Sequence, residues 1–506
     1  MSSRSGPDAP APPSLLGGYG RGVGWTYLSL LLTGGSTFFL AAWAVRRIGT
    51  AQYGLFAMVT SVTALLAIFD YALGFTVQRA GARVAAGDEA EHAETVRAAH
   101  GAYVLLGLGG AVLTLVAAAA AGVVGNGSRP YLIQTVGLLG VSASLQLATA
   151  ALPAVALAVR RFSLRSGAAL VGVSVKVAVA VATIGRYGVA GLALAQLAGV
   201  IVERVALVPL VRRRIAWFAL RPSLPSRLAL RGVSGDALPL LLISASGQLF
   251  AVSDMVIIGV LVGASAVGVY QVSSLAPLYI AAVLVIGYNV AFPSLAGSDD
   301  AGGQEDATMF LTRLFSYLGA VALGITALLR ADVVDILLGR RDGLAEDVLL
   351  LLCGMSMAGL LVHGLASLLI ARGRSGLMAR AVIVQIPVNI VLTVGLVATM
   401  GAVGAPIGTL LTAVLMDVAI LPRTSTGQFQ CPALNVTVRH GVVPAVAGVV
   451  VAAVAAQVAG LAELPMLRVV VGGVAAAILG AGVGLVLLGP GGRRSVRDAL
   501  AAGVVL

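Results

Sequence analysis

Residues 46–83 read RRIGTAQYGLFAMVTSVTALLAIFDYALGFTVQRAGAR. A paired-arginine loop, Arg46-Arg47, leads into a glycine-rich turn. An apolar run follows, interrupted by one acid, Asp70, and leaves through Arg79 and Arg83. About 20 apolar residues cross the hydrocarbon core of a bilayer as a helix, so this stretch predicts a membrane span. Working outward, runs of the same kind recur from Trp25 to Leu488. Hydrophobic residues are 59% of the chain and charged residues 11%. The charged share is less than half the roughly 25% of a soluble domain, which excludes that class. The expected fold is an all-α integral membrane bundle, because a helix satisfies its own backbone hydrogen bonds in lipid. The 64 glycines suit helices that pack closely there.

About fourteen transmembrane helices are expected. They fall near 25–45, 54–77, 101–124, 131–157, 167–184, 188–211, 237–261, 269–295, 308–329, 348–371, 378–400, 403–421, 441–461 and 465–488. Residues 1–24, rich in Pro, Ser and Gly, read as a flexible cytoplasmic tail and not as a signal peptide. Spans one to six form an N-lobe, 25–211. A basic, Pro-containing linker, 212–236, separates it from a C-lobe of spans seven to twelve, 237–422. A linker, 423–440, spans thirteen and fourteen, 441–489, and a tail, 490–506, complete the division.

The net charge of +12 comes from arginines and one lysine, Lys176. In a soluble chain such a balance would suggest nucleic acid. Here the cations flank spans, where they set topology. Of the 33 cations, Lys176 and Arg204 fall within spans. Eight lie on one side: Arg46, Arg47, Arg129, Arg186, Arg330, Arg340, Arg341 and Arg468. The other 23 lie on the side of the two termini, which predicts both termini in the cytoplasm. The two cysteines, Cys353 in a span and Cys431 in a loop, imply no disulfide framework.

The halves echo each other. Gly49-Thr-Ala-Gln-Tyr-Gly-Leu-Phe56 matches Gly263-Ala-Ser-Ala-Val-Gly-Val-Tyr270 at an offset of 214. Tyr187-Gly-Val-Ala-Gly191 matches Met400-Gly-Ala-Val-Gly404 at an offset of 213. Six spans per half keep both halves in the same orientation, so the repeat is parallel, with a pseudo-twofold along the membrane normal. Two such lobes enclose a cavity and suggest a transporter that works by alternating access.

These residues resemble a known family. Gly49-x-x-x-Tyr53-Gly54-Leu55-Phe56, Asp70-x-x-x-Gly74 with Arg79, Asp254-x-x-Ile257-x-Gly259, Gly268-x-Tyr270 and Asp335-Ile-Leu-Leu-Gly339 carry the resemblance. It is to the Wzx-like polysaccharide and O-antigen flippases (the PST group) of the multidrug/oligosaccharidyl-lipid/polysaccharide (MOP) exporter superfamily. The resemblance covers roughly residues 25–421. It implies export of a polyprenyl-pyrophosphate-linked glycan from the cytoplasmic to the outer leaflet of a bacterial cytoplasmic membrane, for cell-surface polysaccharide synthesis. It also implies coupling to H+ or Na+, with membrane lipids, a polymerase and glycosyltransferases as partners, and no nucleic acid.

An ionisable group at mid-bilayer costs about 2.5–3.5 kcal/mol on insertion scales, so each needs a reason. Lys176 is a candidate cavity cation for a pyrophosphate or acidic sugar; pairing with an acid or snorkelling is the structural alternative. Arg204 faces the cavity or, with Glu203, ties span six to its neighbours. Glu203 and Arg204 are adjacent, about 100° apart on a helix, so no direct pairing is expected. Arg21 and Arg79 sit at the cytoplasmic mouth, where guanidinium groups suit bidentate phosphate binding, or serve as topology anchors. Asp70, Asp254 and His363 are candidate ion-coupling groups; their structural alternative is hydrogen bonding between helices. Polar residues within spans, such as Gln146, Gln196, Gln248, Gln385 and Asn389, line a sugar-binding cavity or join helices.

No HExxH, Cys/His cluster or GxxxxGK[ST] occurs, so no enzyme activity, metal or cofactor is expected. A multidrug exporter of the same superfamily is the first alternative, and the cations Lys176 and Arg204 favour an anionic substrate over it. A membrane glycosyltransferase or ligase is the second. Its usual large outer domain is missing, because the longest outer connection is about 330–347. A non-transporting scaffold or scramblase is the third.

Overall fold

The computed structural model describes residues 15–85, 90–124, 130–159, 161–215, 217–218, 245, 248–250, 252–296, 301–372, 374–424 and 436–487. The 212–236 and 423–440 linkers lie largely outside these residues, as does Cys431. The described residues are helical throughout, apart from short turns. The N-terminal half holds α1 (Leu15–Ala64), α2 (Ala67–Ala85), α3 (Ala90–Val124), α4 (Pro130–Ala148), α5 (Ala151–Ala158), α6 (Phe162–Tyr187) and α7 (Val189–Arg214). The second half holds α8 (Gln248–Leu261), α9 (Ala264–Ala296), α10 (Ala301–Leu328), α11 (Arg330–Leu338), α12 (Gly343–Ala371), α13 (Ser375–Met400), α14 (Gly404–Ala413) and α15 (Leu421–Thr424). Two more helices follow, α16 (Val443–Ala459) and α17 (Pro465–Leu487).

Among the described residues, eleven stretches are long and apolar enough to cross a membrane. Two of them hold a sharp break. Tyr27–Ala64 turns at Gly49, with φ 80° and ψ 163°, and Gly376–Arg423 turns at Gly401, with φ 68°. Together with the shorter α8, the expected fourteen crossings are accounted for. The start of α1 departs from expectation. Residues 15–24, expected as flexible tail, are already helical, because the chain continues the helix that the apolar span begins.

Two spans are broken where the sequence reading drew them straight. Span two runs through the end of α1 and the start of α2, with a break at Leu65–Leu66. There the Thr63 hydroxyl bonds the Thr60 carbonyl at 2.9 Å, competing with the helix ladder. Span four divides into α4 and α5 at Thr149–Ala150. Pro153 has no N–H to give the Thr149 carbonyl, which frees the preceding turn to bend.

The first pair of duplicated turns lies together. Gly49 and Gly263 both have positive φ, as does the second pair, Gly188 and Gly401. At each site an L-residue would be strained. Gly54 and Gly268, equivalent in the repeat, meet across the lobes: a Cβ on Gly54 would strike the backbone of Ala264 and Gly268, and one on Gly268 the backbone of Thr50. The hydroxyls of Thr50 and Ser265 lie 2.7 Å apart at the same junction. Below it α1 packs along α9, and Ser61 and Met58 of α1 reach Met255 and Gly259 of α8. A core of Leu40, Ala44, Ile184, Val269, Leu337 and Leu349 draws α1, α6, α9, α11 and α12 together on this side. The lobes are therefore sealed on the side of the turns, which arginine counting reads as the outer side. Helices α16 and α17 pack against α10, and α17 also against α11.

Candidate functional site

Each lobe encloses a cavity of its own. The N-lobe cavity, about 380 Å³, is walled by the end of α1, the start of α2, α4, α5, α6 and α7. Its charged lining residues are Asp70, Arg165, Glu203 and Arg204, with Gln146 and Gln196 beside them. The break at Leu65–Leu66 restarts the helix so that Asp70 falls in the first turn of α2, where the helix dipole favours an acid. Tyr103 of α3 donates to Asp70 Oδ1 at 2.8 Å and to its carbonyl at 3.0 Å.

Glu203 and Arg204 do pair, contrary to the helical-wheel expectation. Glu203 Oε1 lies 3.3 Å from Arg204 Nη1. Backbone positions 100° apart do not prevent contact, because the arginine stem is long enough to curl back. The pairing is incomplete: Arg204 Nε and Nη1 are buried and make no hydrogen bond among the described residues. Such buried donors are rare in native interiors and call for a partner. Arg165, at the start of α6, faces the same cavity. By sequence alone it belongs with the topology arginines at the span ends. Its only signal was its place at a span entrance on the same lobe as Arg204.

The C-lobe cavity, about 360 Å³, is lined from α8, α9, α12, α13 and α14. Its polar centre is Asp254, 2% exposed. Tyr270 and Thr409 each donate to Asp254 Oδ2 at 2.9 Å, and Thr393 approaches Oδ1 at 3.5 Å. Asn389 donates to Thr409 at 3.1 Å, while its Oδ1 is buried without a partner. Thus α8, α9, α13 and α14 converge on one carboxylate. His363 of α12 lines the same cavity. Between the lobes a third space of about 210 Å³ is lined by Thr60, Gln248 and Gln271. It shares Thr60 and Ala64 with the N-lobe cavity.

The remaining candidates are dispersed. Lys176 sits on α6 with its Cβ near Gly199 of α7 and lines none of these three spaces. Its repeat partner, Asn389, does line the C-lobe cavity. Arg79 is exposed on α2. The side chain of Arg21 lies outside the described residues, as does that of Asp417. The structure thus brings together Asp70 and Arg204, and separately Asp254 and His363. No group of three or more His, Cys, Asp and Glu residues placed to hold a metal occurs among the described residues.

Comparison with known proteins gives two kinds of match. A family model described as polysaccharide biosynthesis protein matches residues 19–299. Among solved structures, the lipid II flippase MurJ in an inward closed conformation aligns with a TM-score of 0.64 at 11% identity, over 92% of this chain and 98% of MurJ. A multidrug resistance MATE family transporter of the MOP superfamily, inward-facing, aligns with a TM-score of 0.63 at 14% identity, over 81% of this chain and 94% of that one. An outward-facing MATE structure gives 0.56 at 16% identity, over 87% and 99%. No curated protein sequence matches the chain.

Proposed function

The chain belongs to the polysaccharide biosynthesis protein family, and on that premise we propose that it is a flippase for a polyprenyl-pyrophosphate-linked oligosaccharide. It has the fold shared by the MATE and MurJ transporters and is a multi-pass membrane protein. In this reading both termini are cytoplasmic, the membrane is a bacterial cytoplasmic membrane, and the substrate moves from the inner to the outer leaflet for cell-surface polysaccharide synthesis.

One observation carries the proposal. Within the segment matched by the family model, the N-lobe cavity presents a buried guanidinium with unmet donors, Arg204, and a second guanidinium, Arg165. The same cavity holds two carboxylates, so net charge does not decide the substrate; unmet hydrogen-bonding capacity does. Asp70 is engaged by Tyr103 and Glu203 by Arg204, whereas Arg204 Nε donates to no described residue. A pyrophosphate accepts such donors in bidentate fashion. Gln146 and Gln196 offer amides to sugar hydroxyls. Arg79 and Arg21 serve capture at the inner mouth, and Lys176 adds positive charge to the same lobe.

Alternating access follows from the two lobes. They touch tightly at the Gly54–Gly268 junction, and rocking about it exposes the cavity to one side at a time. Asp254 and His363 are the proposed coupling groups. Asp254 is buried and surrounded by hydroxyls of three helices, so gain or loss of a cation there would change how α8, α9, α13 and α14 pack.

The test uses proteoliposomes holding a fluorescent polyprenyl-pyrophosphate sugar, with an impermeant quencher reporting leaflet exchange. Exchange above protein-free vesicles is expected, faster under an imposed H+ or Na+ gradient. Exchange no faster than in empty vesicles, with or without a gradient, sinks the proposal.

A further inference from the structure

A group of basic side chains outside the cavities has no part in the transport path described above. Arg313 lies on α10, and Arg439 and His440 lie in the π turn Val436–Val442 that leads into α16. The Nε–H of Arg313 donates to His440 Nδ1. A ring that accepts at Nδ1 carries its proton on Nε2, so His440 is a neutral donor on its far side. His440 is 9% exposed, and Arg439 is exposed. Among the described residues no ion pair joins a carboxylate to Arg313, Arg439 or His440. Of the two acids in the first turns of α10, Glu305 is held by Arg372 at 3.0 Å. Asp306 is exposed, about two turns before Arg313. Ser316, one turn further along α10 and beside Gly441, has a buried hydroxyl with no partner.

Two guanidiniums close enough to repel one another, with no counter-ion among the described residues, at the end of membrane helices, call for an anion. The surface that continues from the group is apolar. Val443, Val446 and Val450 of α16 are 60%, 59% and 58% exposed and follow one another up the helix from His440. Phosphate chemistry at the base and an apolar stripe above it match the two parts of a phospholipid. We propose that Arg313, Arg439 and His440 bind the phosphodiester headgroup of an anionic membrane lipid, with its acyl chains along the Val443–Val446–Val450 stripe.

Native mass spectrometry of the full chain tests this, with micelles supplemented by phosphatidylglycerol or by phosphatidylcholine. A parallel arm titrates inorganic phosphate as competitor. The expected result is preferential retention of phosphatidylglycerol, about tenfold weaker in Arg439→Gln and weaker again in Arg313→Lys combined with Arg439→Gln. Arg439 is exposed, so its variant keeps the fold, as an unchanged unfolding temperature verifies. Arg423→Gln, an exposed cation on the same face, is expected to leave retention unchanged. Equal retention in Arg439→Gln, an equal loss in Arg423→Gln, or displacement by inorganic phosphate as tight as lipid binding overturns the lipid site.

Discussion

At the scale of the residue, two side chains organise the cavities. Arg204 is the cavity cation whose donors no described residue satisfies, so Arg204→Gln is expected to slow leaflet exchange at least tenfold, the loss of one charge-assisted contact. Lys176→Ala, measured beside it, separates the roles. A loss as large as that of Arg204→Gln places Lys176 in the substrate path, although it lines neither lobe's cavity. Asp254 accepts from three hydroxyls. Asp254→Asn keeps an acceptor and is expected to fold while losing the response to an ion gradient. Asp254→Ala strands those donors, at about 1–3 kcal/mol each where no other partner is found, and is expected to lower the unfolding temperature in detergent. Equal stability of the Asn and Ala variants contradicts this. Sequence reading named Asp254, Asp70 and Arg204 because an ionisable residue within an apolar run is visible in one dimension. Arg165 was not distinguished, because at a span entrance it looks like any topology arginine.

At the scale of the element, breaks and caps do the positioning. Short helix α11 ends at Gly339, with φ 73°, and Arg46 of α1 donates to its Ile336 carbonyl. Asp332 in its first turn meets Arg468 at 3.4 Å and Arg341 at 3.9 Å. Helix α11 thus joins the N-lobe, the C-lobe and α17 on the sealed side. Arg46→Gln removes a donor from the C-terminal carbonyls of α11, at about 0.5–1.5 kcal/mol. The expected outcome is a lower unfolding temperature, together with faster labelling of a cysteine placed at Thr50. Unchanged labelling shows that this contact does not help hold the seal. The break within span four was foreseeable from Pro153. The break within span two was not, since it rests on the Thr63 hydroxyl, a bond that threonine makes equally well in a straight helix.

At the scale of the whole molecule, the repeat and the seal are one feature. The turns that match at offsets of 214 and 213 carry the positive-φ glycines, and the first pair meet at the lobe junction. Thr50→Cys with Ser265→Cys is expected to form a disulfide on oxidation, since hydroxyls 2.7 Å apart show that the two side chains point at one another, as the sulfurs of a disulfide must. Leaflet exchange is expected to stop in the oxidised form and return on reduction; exchange at the full rate while crosslinked excludes rocking about this junction. The sequence by itself determined the membrane class, the number of crossings and the duplication. Hydrophobic length, arginine placement and glycine turns are local properties, read along the chain without its folded form. Only the tertiary structure decided that each lobe has its own cavity, that Asp70 and Arg204 share one and Asp254 and His363 the other, and that the lobes close on the side of the turns. Those facts depend on which faces of distant helices meet. In lipid almost every helix face is apolar, so its sequence does not mark the face that turns inward.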